Sequence, residues 1–161
     1  MGYAPMMSEL GVAIFKGRAG SLRLCVEGYE FPEIVNDEWD SNWLMVSGEA
    51  VIDGKHWRFR DACLRTFEMR RLATWLDQIA TGREEETFCG FIEPNLHFEK
   101  VSDRLMRIDL AFESAPPWAG PDDDCDAHGF ELPIDGALAT AAGELRYILS
   151  KYPLRAREPR S

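Results

Sequence analysis

The side chains of this sequence that could carry chemistry are mostly carboxylates, and they are concentrated in one segment. Between Leu24 and Gly54 there are eight Asp and Glu residues and no Lys or Arg. Such a segment projects a negative field that attracts basic partners. Acid–base catalysis would require two carboxylates that converge on a pocket and differ in pKa, and spacing along a chain does not show that convergence. The segment therefore predicts binding rather than catalysis.

A metal site is conceivable around Cys125 and His128, which lie among aspartates. Zinc sites usually draw on two Cys/His pairs, and calcium loops need regularly spaced oxygen ligands with a glycine at a fixed position; neither pattern is present. Glycine-rich phosphate loops, GxSxG and HExxH are also missing from the sequence. We therefore expect a protein without metal, cofactor or enzymatic activity.

Two tryptophans are candidate anchors for a partner. Trp39 lies inside the acidic segment, and Trp118 lies in a stretch rich in proline. A tryptophan anchors an interface only where its ring stays accessible. Burial in the core remains open for Trp39 and is the expectation for Trp43, and the alternative for Trp118 is that it only pins its own loop. The predicted partner-binding residues are Glu33, Asp37, Glu38, Trp39, Asp40 and Trp118.

Length and charge narrow the class of partner. The chain has 161 residues, which suits one domain, and its net charge of -10 opposes direct binding to nucleic acids and anionic membranes. High solubility alone is the other explanation of that charge. The sequence has neither an apolar run of membrane-spanning length nor a signal peptide, which predicts a cytoplasmic protein. Whether it forms a homodimer remains open.

The elements that must position these residues follow from apolar periodicity. Alternation predicts strands at 21–28, 42–52 and 55–61, with Asp53 and Gly54 in the tight turn between the last two. Apolar residues at helical spacing predict a helix over 66–81, with Thr66 as N-cap and Gly82 ending it. Three further strands are predicted at 87–92, 96–101 and 104–112, followed by a surface crossover at 113–132 and a helix that starts at Asp135 and ends before Pro153.

This order, βββαβββα with tight hairpins, predicts a single α+β domain. Short connections imply an antiparallel sheet of about six strands, with the two helices packed on it. We expect an N-terminal extension or edge strand in residues 1–20, the domain itself in residues 21–152, and a frayed basic tail in residues 153–161.

Three blocks resemble the WapI family of immunity proteins: GYEFPEIVNDEWDSNWLMV at 28–46, FRDACLRTFEMRRLATWLDQI at 59–79 and FIEPNLHFE at 91–99. The similarity covers about residues 21–112. Such proteins are encoded beside contact-dependent or secreted polymorphic toxins. The resemblance implies a small cytoplasmic protein that binds and blocks the C-terminal domain of its cognate toxin, often a nuclease.

The resemblance agrees with the charge, because a toxin that cleaves RNA or DNA must carry a basic groove for its substrate. We therefore expect the 30–43 segment to bind the toxin, with its carboxylates steering association and Trp39 as the anchor. The alternative is an acidic accessory or ligand-binding domain without a toxin partner, in which this segment is only a solvated loop.

Overall fold

The computed structural model describes residues 10–160, which form eight strands and two α-helices. The α+β class, the antiparallel pairing and the two helices are confirmed, but the strands form two sheets of four rather than one sheet of about six. The elements are β1 (Ala13–Lys16), β2 (Gly20–Tyr29), β3 (Trp43–Ile52), β4 (Lys55–Arg65), α1 (Thr66–Thr81), β5 (Phe88–Cys89), β6 (Leu96–Lys100), β7 (Leu105–Leu110), β8 (Gly129–Pro133) and α2 (Gly136–Lys151).

The first sheet has the order β1-β2-β3-β4. Its central hairpin forms as predicted, because Asp53 and Gly54 adopt positive φ angles of 51° and 80°, which a tight two-residue turn requires. The third predicted strand continues four residues further, to Arg65, and contains a bulge in its pairing with β3 between Leu44 and Val46. Of residues 1–20, predicted as an extension or an edge strand, Ala13–Lys16 form β1, which pairs with β2 at the edge of the sheet, and residues 1–9 lie outside the described part of the chain.

Helix α1 has the predicted bounds, but its N-cap is Arg65 and not Thr66. Glu68, in the first turn, accepts hydrogen bonds from the backbone N–H and the Nε of Arg65 at 3.0 and 2.9 Å, which leaves the Thr66 hydroxyl to bond elsewhere. Gly82 ends the helix in the left-handed region at φ 69°. Helix α2 starts as predicted, with the Asp135 carboxylate accepting a hydrogen bond from the Ala137 N–H at 2.9 Å.

The second sheet, β5-β6-β7-β8, departs furthest from the prediction. The expected surface crossover at 113–132 contains most of β8, because Phe130 and Leu132 pair with the apolar row of β7. Those two apolar positions are too few to give a strand signal beside so many Asp, Pro and Gly residues. The strand predicted to reach residue 112 ends at Leu110, and Phe112 is 59% exposed.

Phe98 of β6 lies where both sheets and α1 meet. Its ring centroid is 5.5 Å from that of Phe15 in β1 and 6.5 Å from that of Trp75 in α1. Each of these side chains is at most 4% exposed, and burying a large apolar side chain contributes roughly 1.5–3 kcal/mol. This core leaves the long β2–β3 loop and the 91–95 and 111–128 segments at the surface.

Candidate partner-binding surface

The acidic loop, residues 30–42, is folded by its own side chains. The Asp37 carboxylate accepts hydrogen bonds from the backbone N–H groups of Trp39 and Asp40, each at 2.8 Å, and these bonds lower the pKa of Asp37. They start the short 3-10 turn that leads into β3. Asp37 therefore shapes the loop, in addition to any contact with a partner.

Asn42, which is fully buried, ties the loop to two other elements. Its Nδ2 donates to the carbonyl oxygens of Glu38 and Arg155 at 3.1 and 2.7 Å. Its Oδ1 accepts from the Thr66 hydroxyl at 2.8 Å and from the Arg155 N–H at 2.9 Å. The end of the loop, the start of α1 and the C-terminal segment are thereby fixed together.

Trp39 is 49% exposed, so it stays accessible in the loop. Its ring lies over the guanidinium of Arg65, whose Cζ is 5.2 Å from the ring centroid. Arg65 is itself buried, contacts the rings of Trp43 and Phe67 at 5.3 and 4.5 Å, and pairs with Glu68. One face of Trp39 is thus positioned by a fixed cation, an arrangement that reduces the entropy lost on binding. Trp43, expected in the core, is half-buried beside the same arginine.

The segment predicted as a frayed basic tail lies against the acidic loop instead. The Arg155 guanidinium is 3.7 Å from the centroid of the Tyr29 ring. Its NH1 group donates to the carbonyl oxygens of Phe31, Pro32 and Ile34 at 3.4, 2.8 and 3.1 Å. We call residues 153–158 the C-terminal strap.

The strap also uses one of the loop carboxylates, because Arg157 Nε lies 2.6 Å from Glu38 Oε1. Among the loop carboxylates predicted to bind a partner, Asp37 and Glu38 therefore have partners within the chain. Glu33 and Asp40 are exposed, and the described residues place no Lys or Arg in an ion pair with either of them.

Trp118 is 48% exposed but lies away from the loop. Its ring packs edge-to-face on Trp57, with the two ring centroids 5.5 Å apart. The Nζ of Lys55 lies over the Trp118 ring, 5.7 Å from its centroid. Trp57 and Arg65 are eight residues apart on β4, which corresponds to about 26 Å of strand. The structure does not bring Trp118 together with Trp39, and the predicted site residues divide into two places.

Three residues beside the loop were missed by the sequence reasoning. Asp61 follows Trp57 and Phe59 in the core-facing row of β4, and burial, followed by the charge of Glu113, raises the pKa of Asp61. Asn95 is 1% exposed, and its Nδ2 donates to Asp61 Oδ2 at 3.0 Å and to Glu113 Oε2 at 3.3 Å. The available signal was Asp61 itself, a carboxylate in a row whose period predicts an apolar residue. We call Asp61, Asn95 and Glu113 the carboxylate niche.

The other candidate groups do not assemble a reactive centre in the described part of the chain. His128 Nε2 lies 2.9 Å from Asp123 Oδ2, and Cys125 is exposed nearby, but residues 10–160 contain no group of three His, Cys, Asp or Glu residues suited to a metal. An open cleft of about 490 Å³ on the outer face of the first sheet is lined by Glu49 and Arg58, which form an ion pair at 3.1 Å. No described helix has the length and apolar character needed to cross a membrane.

Comparison with known proteins identifies the family of this chain. The model of the immunity protein WapI-like family matches residues 13–153, which extends the resemblance from the three sequence blocks to nearly the whole chain. The chain belongs to the WapI-like family of immunity proteins. Neither the curated proteins nor the solved structures contain a significant match. The match includes β1, β8 and α2, so the family pattern covers both sheets and both helices.

Proposed function

We propose that this WapI-like protein binds the C-terminal domain of a cognate polymorphic toxin in the cytoplasm and blocks it, without enzymatic activity or a cofactor of its own. Membership of the immunity family carries the proposal. The net charge of -10 supports a basic partner, and a toxin that cleaves nucleic acid would have a basic substrate groove.

We propose the acidic loop as the place of contact. Trp39 supplies an exposed ring held over Arg65, and Glu33 and Asp40 supply carboxylates at the surface. Asp37 and Glu38 act chiefly by shaping the loop, since both are hydrogen-bonded within the chain. A standard interface buries roughly 800 Å² on each partner, so the loop must be joined by neighbouring surface. Trp118 is a separate contact in a large interface or a residue that pins its own segment.

Co-expression tests this function directly. A toxin domain, which the proposed function expects to be encoded next to this gene, is induced in bacteria with or without the protein, and growth is scored. We expect rescue by the parent protein and loss of rescue when Trp39→Ala is combined with Glu33→Gln and Asp40→Asn. A control variant carries Glu85→Gln and Asp122→Asn, which makes the same charge changes elsewhere, and Trp118→Ala is scored separately because Trp118 is itself a predicted contact. Failure of the parent to rescue growth or to bind the purified domain would favour a stand-alone accessory protein.

A further inference from the structure

The carboxylate niche holds two negative groups that share one weak donor. Asp61 and Glu113 both accept from the same amide nitrogen of Asn95. Within residues 10–160, no Lys, Arg or His lies within ion-pair distance of either carboxylate. The Ala62 N–H gives Asp61 one further hydrogen bond. These donors carry no net charge, so the two negative charges of the niche are not balanced by a cation within the described residues.

Asn95 adds an observation that is independent of the carboxylates. The residue is 1% exposed, and its Oδ1 is buried without a hydrogen-bond partner among the described residues. Its amide is aimed into the niche, since Nδ2 touches both acids. Buried polar atoms are almost always satisfied, and this one is not. Oδ1 lies at the other end of the amide from Nδ2, so a half-turn that gives up the two Nδ2 hydrogen bonds would direct Oδ1 toward a cation lying between the two carboxylates.

The niche lies near the acidic loop. Burial, and then the charges of Asp61 and Asp40, raise the pKa of Glu30, so this loop carboxylate is close enough to Asp61 of the niche to feel its charge. On the other side, Glu68 pairs with the arginine beneath Trp39 and also accepts the Ile92 N–H at 3.0 Å.

Exposed apolar side chains accompany these carboxylates. Ile92 is 62% exposed and Phe112 is 59% exposed, and they lie three residues before Asn95 and directly before Glu113. Phe112 has a φ of 53°, in the left-handed region. Together with Trp39 they give a surface in which apolar groups alternate with acids, which suits the desolvated centre of an interface with a basic protein.

We propose that the carboxylate niche receives a lysine or arginine side chain of the basic partner. A guanidinium carries five N–H donors in a planar fork and can pair with two carboxylates at once, so arginine is the preferred occupant. The binding surface then runs from Trp39 across Ile92 to Phe112. That the side chain comes from a toxin rests on the proposed function. That the niche binds such a side chain does not depend on that function.

Nuclear magnetic resonance with small probes tests the niche by itself. The full chain, labelled with ¹⁵N, is titrated with N-acetyl-arginine methylamide, and the Asn95 side-chain amide is followed. The citrulline analogue, which has the same shape without the charge, is the matched probe. We expect a weak but saturable shift with arginine and no saturable shift with citrulline.

The variant Asp61→Asn/Glu113→Gln keeps the acceptor oxygens and removes both charges, and we expect it to bind the arginine probe about tenfold more weakly. Glu85→Gln/Asp122→Asn is the control and should bind as the parent does. Should the double variant not fold, Asp61→Asn alone is judged by the same criterion. Absence of saturation, an equal response to citrulline, or unchanged affinity in the niche variant would overturn the proposal.

A second arm uses an inactivated form of the toxin domain that the proposed function expects to be encoded next to this gene. If the parent binds this domain and the niche variant binds equally well, the inference about the niche is wrong and the proposed function stands. If the parent binds the arginine probe in the niche but not the toxin domain, the niche is a cation-binding site and the proposed function fails. Weaker binding of the niche variant to the toxin domain supports both.

Discussion

At the scale of single residues, the side chains of the candidate binding surface differ in how their neighbours hold them. Trp39 is half exposed but rests on the buried guanidinium of Arg65, which remains paired with Glu68 whether or not the ring is present. Asp61, in contrast, is held in surroundings that oppose its charge. Substitution of Trp39 is therefore expected to change binding, and substitution of Asp61 to change both binding and stability.

Trp39→Ala should act mainly on dissociation from the toxin domain. A rigid aromatic anchor loses its contact area when truncated, at a cost of about 2 kcal/mol or more, or roughly a thirtyfold faster dissociation. Surface plasmon resonance with an inactivated toxin domain measures this rate. Trp118→Ala removes a ring of similar exposure, 48% against 49%, and is the matched control. Equal effects of the two substitutions would contradict a special role for the loop.

Asp61→Asn should raise the melting temperature at pH 7. Burial raises the pKa of Asp61 in the folded protein, so the folded state favours the protonated form and the ionised form destabilises it. That destabilisation is present above the raised pKa and disappears as the pH falls below the ordinary pKa of aspartate. Calorimetry across this range should show a gain in stability at neutral pH that vanishes in acid. Glu85→Gln, at an exposed position, should show no such gain, and a loss at pH 7 for Asp61→Asn would contradict the argument.

At the scale of elements, the strap and the first sheet hold the loop in place. Arg155 bonds three loop carbonyl oxygens and stacks on Tyr29, so the strap completes the loop by contacts with its backbone. Beneath the loop, β3 carries Gly48 on its core face, opposite Phe59 of β4. The strap contacts are long-range and fix the position of a loop whose own sequence is polar, and the Gly48–Phe59 contact belongs to the packing of the sheet from which the loop extends.

Arg155→Ala should loosen the acidic loop. Losing the bonds of a partly exposed guanidinium to three carbonyl groups should cost about 1–2 kcal/mol of local stability. Hydrogen exchange should quicken at residues 31–36, and binding to the toxin domain should weaken because the loop must be ordered at the moment of association. Arg160→Ala, at an exposed position two residues beyond the strap, is the control. Tighter toxin binding by Arg155→Ala would mean that the strap blocks the loop rather than preorganising it.

Gly48→Ala should destabilise the first sheet. A Cβ at this position would lie 2.1 Å from Phe59 Cζ, so the ring must move away from its packed place. Overpacking of this kind costs about 1–3 kcal/mol. Gly143→Ala in α2 meets no neighbouring atom within 4 Å and should instead stabilise the helix by about 0.5–1 kcal/mol. If the packing is as described, chemical denaturation should show a lower free energy of unfolding for Gly48→Ala and a higher one for Gly143→Ala. An unchanged free energy of unfolding for Gly48→Ala would contradict this packing.

At the scale of the whole molecule, we expect charge to set the rate of encounter with the proposed toxin partner. A net charge of -10 creates a long-range field, but only carboxylates near the interface change its local strength appreciably at physiological salt, where the screening length is about 8 Å. Glu33 and Asp40 are exposed on the loop, whereas Asp37 and Glu38 are bonded within it. Steering is therefore best tested with the first pair.

Glu33→Gln/Asp40→Asn should slow association with the toxin domain several-fold and flatten its dependence on ionic strength, with little change in dissociation. Stopped-flow measurements over a range of salt concentrations give both quantities. Glu85→Gln/Asp122→Asn changes the net charge equally and should leave the salt dependence close to that of the parent. Neutralising Asp37 and Glu38 as well should slow association further, and part of that effect will come from disorder in the loop. An unchanged salt dependence would place the interface elsewhere.

The sequence by itself determined the features that depend on neighbours along the chain. The turn at Asp53 and Gly54, the span of α1 and the cap at Asp135 follow from residue types within a few positions of each other. Alternation identified β2 and β3, because the two faces of a strand meet different environments. The three sequence blocks also sufficed to suggest the family that the match over residues 13–153 shows.

Tertiary structure decided which distant residues meet. Periodicity reports the face on which a residue lies but not the element opposite it, so it predicted neither the division into two sheets nor the pairing of β8 with β7. For the same reason Asp61, Asn95 and Glu113, which come from three separate segments, converge without any local signal of their convergence. The separation of Trp118 from Trp39 and the docking of Arg155 on the acidic loop likewise depend on packing between residues far apart in the chain.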